Sequence, residues 1–423
     1  MSTQNRPVNY TSSLIIIGAL FFIFGFVTWL NGTLIPFLKL ACDLQSDAQA
    51  LMVTFAFYMA YFFLAIPSSI ILEKTGFKNG MSLGLAVIAV GALLFIPAAM
   101  GRTFYLFLTG LFVQGMGLSL LQTASNPYVS VIGPMESAAS RISIMGICNK
   151  VAGAISPLVL GAIVLKGASE IEVQINTTTD PATRELLLQE LSQRVILPYA
   201  IIAAVLAFLA IMIRFSNLPE IDPQNEKQGE SNGKTSILQF PHLLLGALCI
   251  FVYVGAEVMA GDVISIYGKA IGISLDDAKN FTSYTLRSMV VGYIIGILTI
   301  PKYIKQEKAL SISAVVGIVF SIAAYITTGY TSIVFIALLG FANALMWPAI
   351  FPLAIDGLGK FTKIGSALLI MGIAGGAIIP QLYGKFSSLW GPEAAFVAIM
   401  IPCYLYILFY SVKGYKTGKS IAS

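Results

Sequence analysis

The chain has 423 residues, of which 57% are hydrophobic and 11% charged, and its mean hydropathy is +0.85. A soluble domain carries about 25% charged residues, so half the usual charge excludes a water-soluble protein of this size and places the chain in a lipid bilayer. The formal net charge of +5 says little as a total; where the charges sit along the chain says more.

A membrane-spanning helix needs about 20 apolar residues. Runs of that kind occur at 13–38, 48–72, 79–100, 103–131, 140–165, 195–214, 242–268, 280–301, 309–328, 331–355, 364–386 and 394–412. Twelve spans are therefore predicted, numbered 1 to 12 in chain order. A transmembrane β-barrel is excluded, because barrel strands are about ten residues long with alternating polarity. The first run is too long for a secretory signal and has no small-residue cleavage site after it. Between spans 5 and 6, Asp180-Pro181 ahead of a leucine-bearing stretch predicts a short capped surface helix. The polar stretch after span 6 reads as a flexible linker, which divides the chain into a half at 1–214, a linker at 215–241 and a half at 242–423.

The basic residues orient the spans. With both termini in the cytoplasm, fifteen of the 25 Lys and Arg lie on the inner side and eight on the outer, the asymmetry that inner loops carry. A faint repeat relates the halves. "GAISPLVLG" from Gly153 in span 5 matches "GAIIPQLYG" from Gly376 in span 11, and "IMGI" starts at Ile144 and again at Ile370. The fold class expected is an all-α integral membrane protein, twelve helices in two six-helix pseudo-symmetric halves. That is the plan of the major facilitator superfamily, with the substrate site between halves near the midplane.

Charged side chains at the centre of a membrane helix cost about 2.5–3.5 kcal/mol on insertion scales. Four fall well inside predicted spans, away from their ends: Lys150 in span 5, Glu257 and Asp262 in span 7, and Arg287 in span 8. They read as a substrate or coupling-ion site, or as a structural ion pair such as Arg287 with Asp262. Buried amides are Asn31, Gln114, Gln122, Asn126, Asn149, Asn343 and Gln381. Gln122 and Asn126 share a helix face. An amide offers both donor and acceptor, as a sugar hydroxyl does. Trp29, Trp347 and Tyr253 supply aromatic faces for a sugar ring, and Trp390 reads as an interface anchor. Breaks are expected in spans 1, 4, 5, 7, 10 and 11, at Gly32, Pro36, Pro127, Pro157, Gly261, Pro348, Pro352, Gly375-Gly376 and Pro380. Freed backbone groups are tolerated there because they line a polar cavity. Spans 3, 6, 9 and 12 read as lipid-facing supports.

"WLNGTLIP" in span 1, "LLQTASNPYVSVIGP" in span 4, "SRISIMGICNK" in span 5 and "YVGAEV" in span 7 resemble the fucose–galactose–glucose:cation symporters, and the glucose/galactose branch more than the fucose permease. The resemblance implies symport of a monosaccharide with a cation, proton or sodium, across a bacterial inner membrane by rocking of the two halves. The fucose permease has an aspartate directly after the span-1 asparagine, where this chain has Gly32, and a glutamate where it has Gln122. Its acid-based coupling therefore does not transfer intact. The reading is that Asn31, Gln122, Asn126, Asn149, Trp29, Asn343, Trp347 and Gln381 bind sugar, while Glu257 and Lys150, with Asp262 and Arg287, serve coupling or an internal ion pair. The alternatives are a sugar uniporter, with Lys150 as a permanent cation, or a facilitator of another small polar solute such as an amino sugar.

No catalytic constellation emerges. His242 is the only histidine, and Cys42, Cys148, Cys249 and Cys403 lack paired spacing. A non-enzyme is expected, without cofactor or metal, without nucleic acid, and acting as a monomer.

Overall fold

The computed structural model describes residues 10–131, 138–216, 218, 235–300, 302–358 and 361–418. Every regular element among them is helical. Among the described residues, twelve helical segments are long and apolar enough to cross a bilayer. Spans 1 to 6 are Leu14–Ala41, Asp47–Leu72, Lys74–Met100, Phe104–Ser125, Ile144–Val164 and Pro181–Phe215, the last crossing with its apolar helix Ile196–Phe215. Spans 7 to 12 are Pro241–Gly261, Leu275–Thr299, Gln306–Ile326, Gly329–Ile355, Ile364–Trp390 and Pro392–Val412. The connections after odd-numbered spans share one membrane face, here the far face; the described ends of the chain lie on the other, the terminal face. Most of the expected linker falls outside the described residues.

Several spans are broken, and the breaks have local causes. Span 1 consists of helices Tyr10–Thr28 and Asn31–Ala41, so the turn before Pro36 gives way rather than Pro36 itself. Span 10 likewise breaks between Gly329–Asn343 and Met346–Ile355, just ahead of Pro348. A proline removes one hydrogen bond and crowds the carbonyl four residues earlier. Span 7 stops at Gly261 and resumes as Ile264–Ala270, leaving Asp262 in the gap. Span 11 passes through a 3₁₀ turn at Gly372–Ala374. The expected breaks in spans 4 and 5 do not occur: the helices Phe104–Val131 and Ala138–Val164 are continuous. Pro157 leaves the Gly153 carbonyl without its usual donor, and the Ser156 hydroxyl supplies one at 3.3 Å. Span 8 has a short first turn, Leu275–Ala278, before Phe281–Thr299.

Small residues let neighbouring backbones touch, as membrane helices require when lipid offers no hydrophobic drive. Spans 3 and 4 run antiparallel, with Gly84 against Gly117 and Gly91 against Gly110. A Cβ on Gly117 would lie 2.5 Å from the Gly84 carbonyl oxygen, and one on Gly91 would lie 2.7 Å from that of Gly110. Gly76, at φ 75°, makes the turn from span 2 into span 3, a backbone conformation that glycine adopts without steric cost. Ser82 donates to the Ala210 carbonyl at 2.7 Å and holds span 6 on span 3.

The expected surface helix is present at Pro181–Gln193, capped by Asp180, whose carboxylate accepts from the Thr183 amide at 3.0 Å. The Thr183 hydroxyl, together with this amide, holds that exposed carboxyl below the usual carboxylate range. A further short helix, Ala168–Thr177, precedes it. These helices cover the far face. Lys269, beyond span 7, pairs with Glu172; Lys279 donates to the Leu165 carbonyl at 3.3 Å; and the Ser169 amide donates to Asp276 at 3.3 Å. Each contact joins the two halves, which also meet along spans 5 and 8 and along spans 2 and 11. The far face is closed.

Candidate binding site between the halves

At the level of the span-1 and span-7 breaks, side chains from both halves converge. Lys150 of span 5 donates to Glu257 of span 7 at 2.9 Å, and both side chains are about nine-tenths buried. The ammonium also lies 4.4 Å from the centre of the Trp29 ring, a cation–π arrangement that gains strength as water is excluded. The indole is held in place by the absence of side chains around it. A Cβ on Gly153 or Gly261 would come within 2.4 or 2.5 Å of its atoms. Tyr253 lies one helical turn before Glu257, near the same carboxylate, and its ring sits 6.4 Å from that of Trp347. Trp347 in turn stacks on Phe351. Spans 1, 5, 7 and 10 thus build one aromatic and ionic cluster.

A second cluster lies about 7.5 Å further along span 7, five residues at 1.5 Å each. Asp262 is fully buried. Its Oδ2 accepts from the Tyr58 hydroxyl of span 2 at 3.0 Å, the Gly32 backbone amide faces the same carboxyl, and Oδ1 has no hydrogen-bond partner. Tyr58 stacks with Tyr61, and Tyr61 accepts from the Gln122 amide at 2.8 Å. Thr282 of span 8 packs against Gly32.

The sequence-predicted residues divide accordingly. Trp29, Lys150, Glu257 and Trp347 share the first cluster; Gln122 and Asp262 are linked through tyrosines in the second. Asn149 is buried beside Lys150, its amide 3.5 Å from the Phe21 carbonyl oxygen. Asn31 is buried and both its amide atoms lack partners. Asn343 accepts from Tyr404 of span 12 at 2.9 Å and ties helices together. Gln381 instead lines a far-face depression of about 880 Å³ with Lys39, Asp47 and Lys385. The helix places Asn126 in span 4, but its side chain lies outside the described residues.

Arg287 does not pair with Asp262. It lies on the exposed face of span 8 with its guanidinium 5.8 Å from the Tyr284 ring, because the inward face of that helix is taken by Thr282, Thr285 and Leu286. The ion pair that forms is Lys150 with Glu257. Span 12, expected as a lipid-facing support, contributes Tyr404, and Tyr58 and Tyr61 of span 2 and Thr282 of span 8 take part although none was among the expected site residues. Tyr58 and Tyr61, three residues apart in "FAFYMAYFF", were legible as one helix face but indistinguishable there from lipid-facing aromatics. Among the described residues no group of three or more His, Cys, Asp or Glu could hold a metal ion.

Two six-helix halves with buried polar clusters between them define a membrane transporter. The Major Facilitator Superfamily profile matches residues 17–380, and the chain belongs to that superfamily. It is 37% identical to the glucose/galactose transporter of Brucella abortus, over 97% of this chain and 95% of that one. To the L-fucose-proton symporter of Escherichia coli K12 it is 29% identical over 95% of this chain and 93% of that one. The crystal structure of the transporter FucP in its outward conformation superposes with a TM-score of 0.72 at 28% identity, covering 95% of this chain and 98% of that one. A bacterial homologue of the lysosomal transporter Spinster, inward-facing and unoccupied, gives 0.68 at 14% identity, with 99% of this chain and all of the other covered, and so reports on fold alone.

Proposed function

We propose that this chain imports a monosaccharide together with a cation across a bacterial cytoplasmic membrane, by alternating access of its two halves. The terminal face is cytoplasmic, where the excess of Lys and Arg lies, the division of halves follows the linker at 215–241, and the working unit is a monomer. The observation that carries this reading is the buried Trp29–Lys150–Glu257 cluster, contributed by both halves. A sugar presents hydroxyls that need donors and acceptors together and a C–H face that suits an aromatic ring. Lys150 and Glu257 offer one of each, Gln122 and Asn149 offer both, and Trp29 and Trp347 offer faces. The relatives named for glucose, galactose and fucose support the same substrate class. Rocking the halves would expose this cluster to each side in turn.

The Lys150–Glu257 pair also favours a second reading, uniport, in which the ammonium permanently fills the place of a coupling cation. Uptake of a radiolabelled monosaccharide panel into proteoliposomes, under an imposed sodium or proton gradient, separates them. Accumulation of one sugar above equilibrium is expected. Equilibration without accumulation would establish uniport, and no sugar entry into vesicles holding folded protein would refute the substrate class.

A further inference from the structure

Charge bookkeeping between the halves leaves one group unaccounted for. Lys150 neutralises Glu257, and Arg287 faces outward, so among the described residues the buried Asp262 has no cation of its own. Its two oxygens differ. Oδ2 receives the Tyr58 hydroxyl, while Oδ1 has no partner. An unpaired carboxylate in a water-excluded site costs several kcal/mol, and adding one proton removes that charge.

We propose, building on the symport reading above, that Asp262 is the group that takes up and releases the coupling cation, and that this cation is a proton. The Lys150–Glu257 pair serves the sugar. The contacts around Asp262 select the ion. A hard metal cation needs several oxygen ligands around it, whereas the side chain bonded to this carboxyl is the Tyr58 hydroxyl, whose hydrogen points at it and repels a metal. A proton needs only the one free oxygen. The titratable or charged groups facing Asp262 are Tyr58 from span 2, Lys150 from span 5 and Glu257 from its own span. Span 1 presents the Gly32 amide, and span 8 packs Thr282 on Gly32.

The placement couples the proton to rocking. Tyr58 belongs to one half and Asp262 to the other, on the far-face side of the sugar cluster. Opening the far face pulls the tyrosine donor away from the carboxylate. An O–H bond then forms at Oδ1 with a proton from water admitted at that face. Closure restores the Tyr58 donor, the O–H bond breaks, and the proton leaves toward the terminal face.

The test uses the purified full-length protein and two readouts. In infrared difference spectra recorded across a pH series without sugar, wild type gains a carboxylic-acid C=O band as pH falls, and Asp262→Asn loses it. In proteoliposomes loaded with the accepted sugar, Asp262→Asn loses accumulation under a proton gradient while sugar exchange continues. Tyr58→Phe, which removes only the donor to Oδ2, moves the midpoint of the C=O band to higher pH, because the anion has lost a hydrogen bond. The proposal is overturned if the band survives in Asp262→Asn, if that variant still concentrates sugar, if the Tyr58→Phe midpoint does not move, or if wild-type accumulation follows sodium alone. Should wild type admit no sugar while the Asp262 band is present, the sugar reading fails and the proton assignment stands.

Discussion

Lys150 and Glu257 lie 107 positions apart in the chain and meet at 2.9 Å in a site from which most water is excluded. Removing one partner of a buried pair strands the other charge and costs about 3–5 kcal/mol, whereas replacing both by uncharged groups is often close to neutral. Glu257→Gln and Lys150→Met should therefore each lower the thermal midpoint of the detergent-purified protein more than the double variant does. Additive losses in that cycle would show that the two charges do not act on each other. At the same scale, this chain has Gly32 directly after Asn31, where the fucose permease pattern has an acid. The Gly32 backbone amide faces Asp262, so an acid reaches that place from the other half. The amides were the least legible of the expected site. Gln122, Asn149 and Asn343 each hydrogen-bond protein groups, and spacing along a helix cannot say whether an amide turns to a ligand or to a neighbouring helix.

Among elements, the antiparallel pair of spans 3 and 4 shows how apolar helices hold together in lipid. Gly84 and Gly91 are seven apart, as are Gly110 and Gly117, so both contacts repeat along one stripe of each helix. A valine at 117 would drive its Cβ to 2.5 Å from the Gly84 carbonyl oxygen. Overpacking of this kind costs about 1–3 kcal/mol, and Gly117→Val should lower the thermal midpoint or the yield of folded protein. Gly18→Ala serves as the control, since its new Cβ would meet nothing closer than 3.8 Å. Equal behaviour of the two variants would remove close packing as the reason for the glycines. Proline was a weaker guide to breaks than expected, because Pro157 sits in an unbroken helix once Ser156 satisfies the carbonyl it frees.

In the whole molecule, the far face is held shut by contacts that cross between halves, among which Lys269 pairs with Glu172 as opposite charges. Both side chains are roughly a quarter to a third exposed, and partly exposed pairs contribute about 0.2–1 kcal/mol. Glu172→Lys should shift the balance toward an open far face by about 1.4- to fivefold, the range that such energies allow. The shift is read as faster thiol labelling of a cysteine placed at Thr33, which is fully buried beneath this face. Adding Lys269→Glu restores the pair with reversed signs and should return labelling to its starting rate. Labelling that ignores both changes would mean that packing alone closes the face.

The sequence by itself determined the bilayer, the twelve spans, the two halves and the identity of most of the buried polar side chains. It could do so because lipid leaves a backbone few solutions, and helix length and polarity are local properties. Only the tertiary structure decided which of those groups meet. Lys150 pairs with Glu257, Asp262 stands with Tyr58, and Arg287 turns outward. Each outcome depends on how a helix is rotated about its axis and which helix of the other half lies against it, and that is set by packing between segments far apart in the chain.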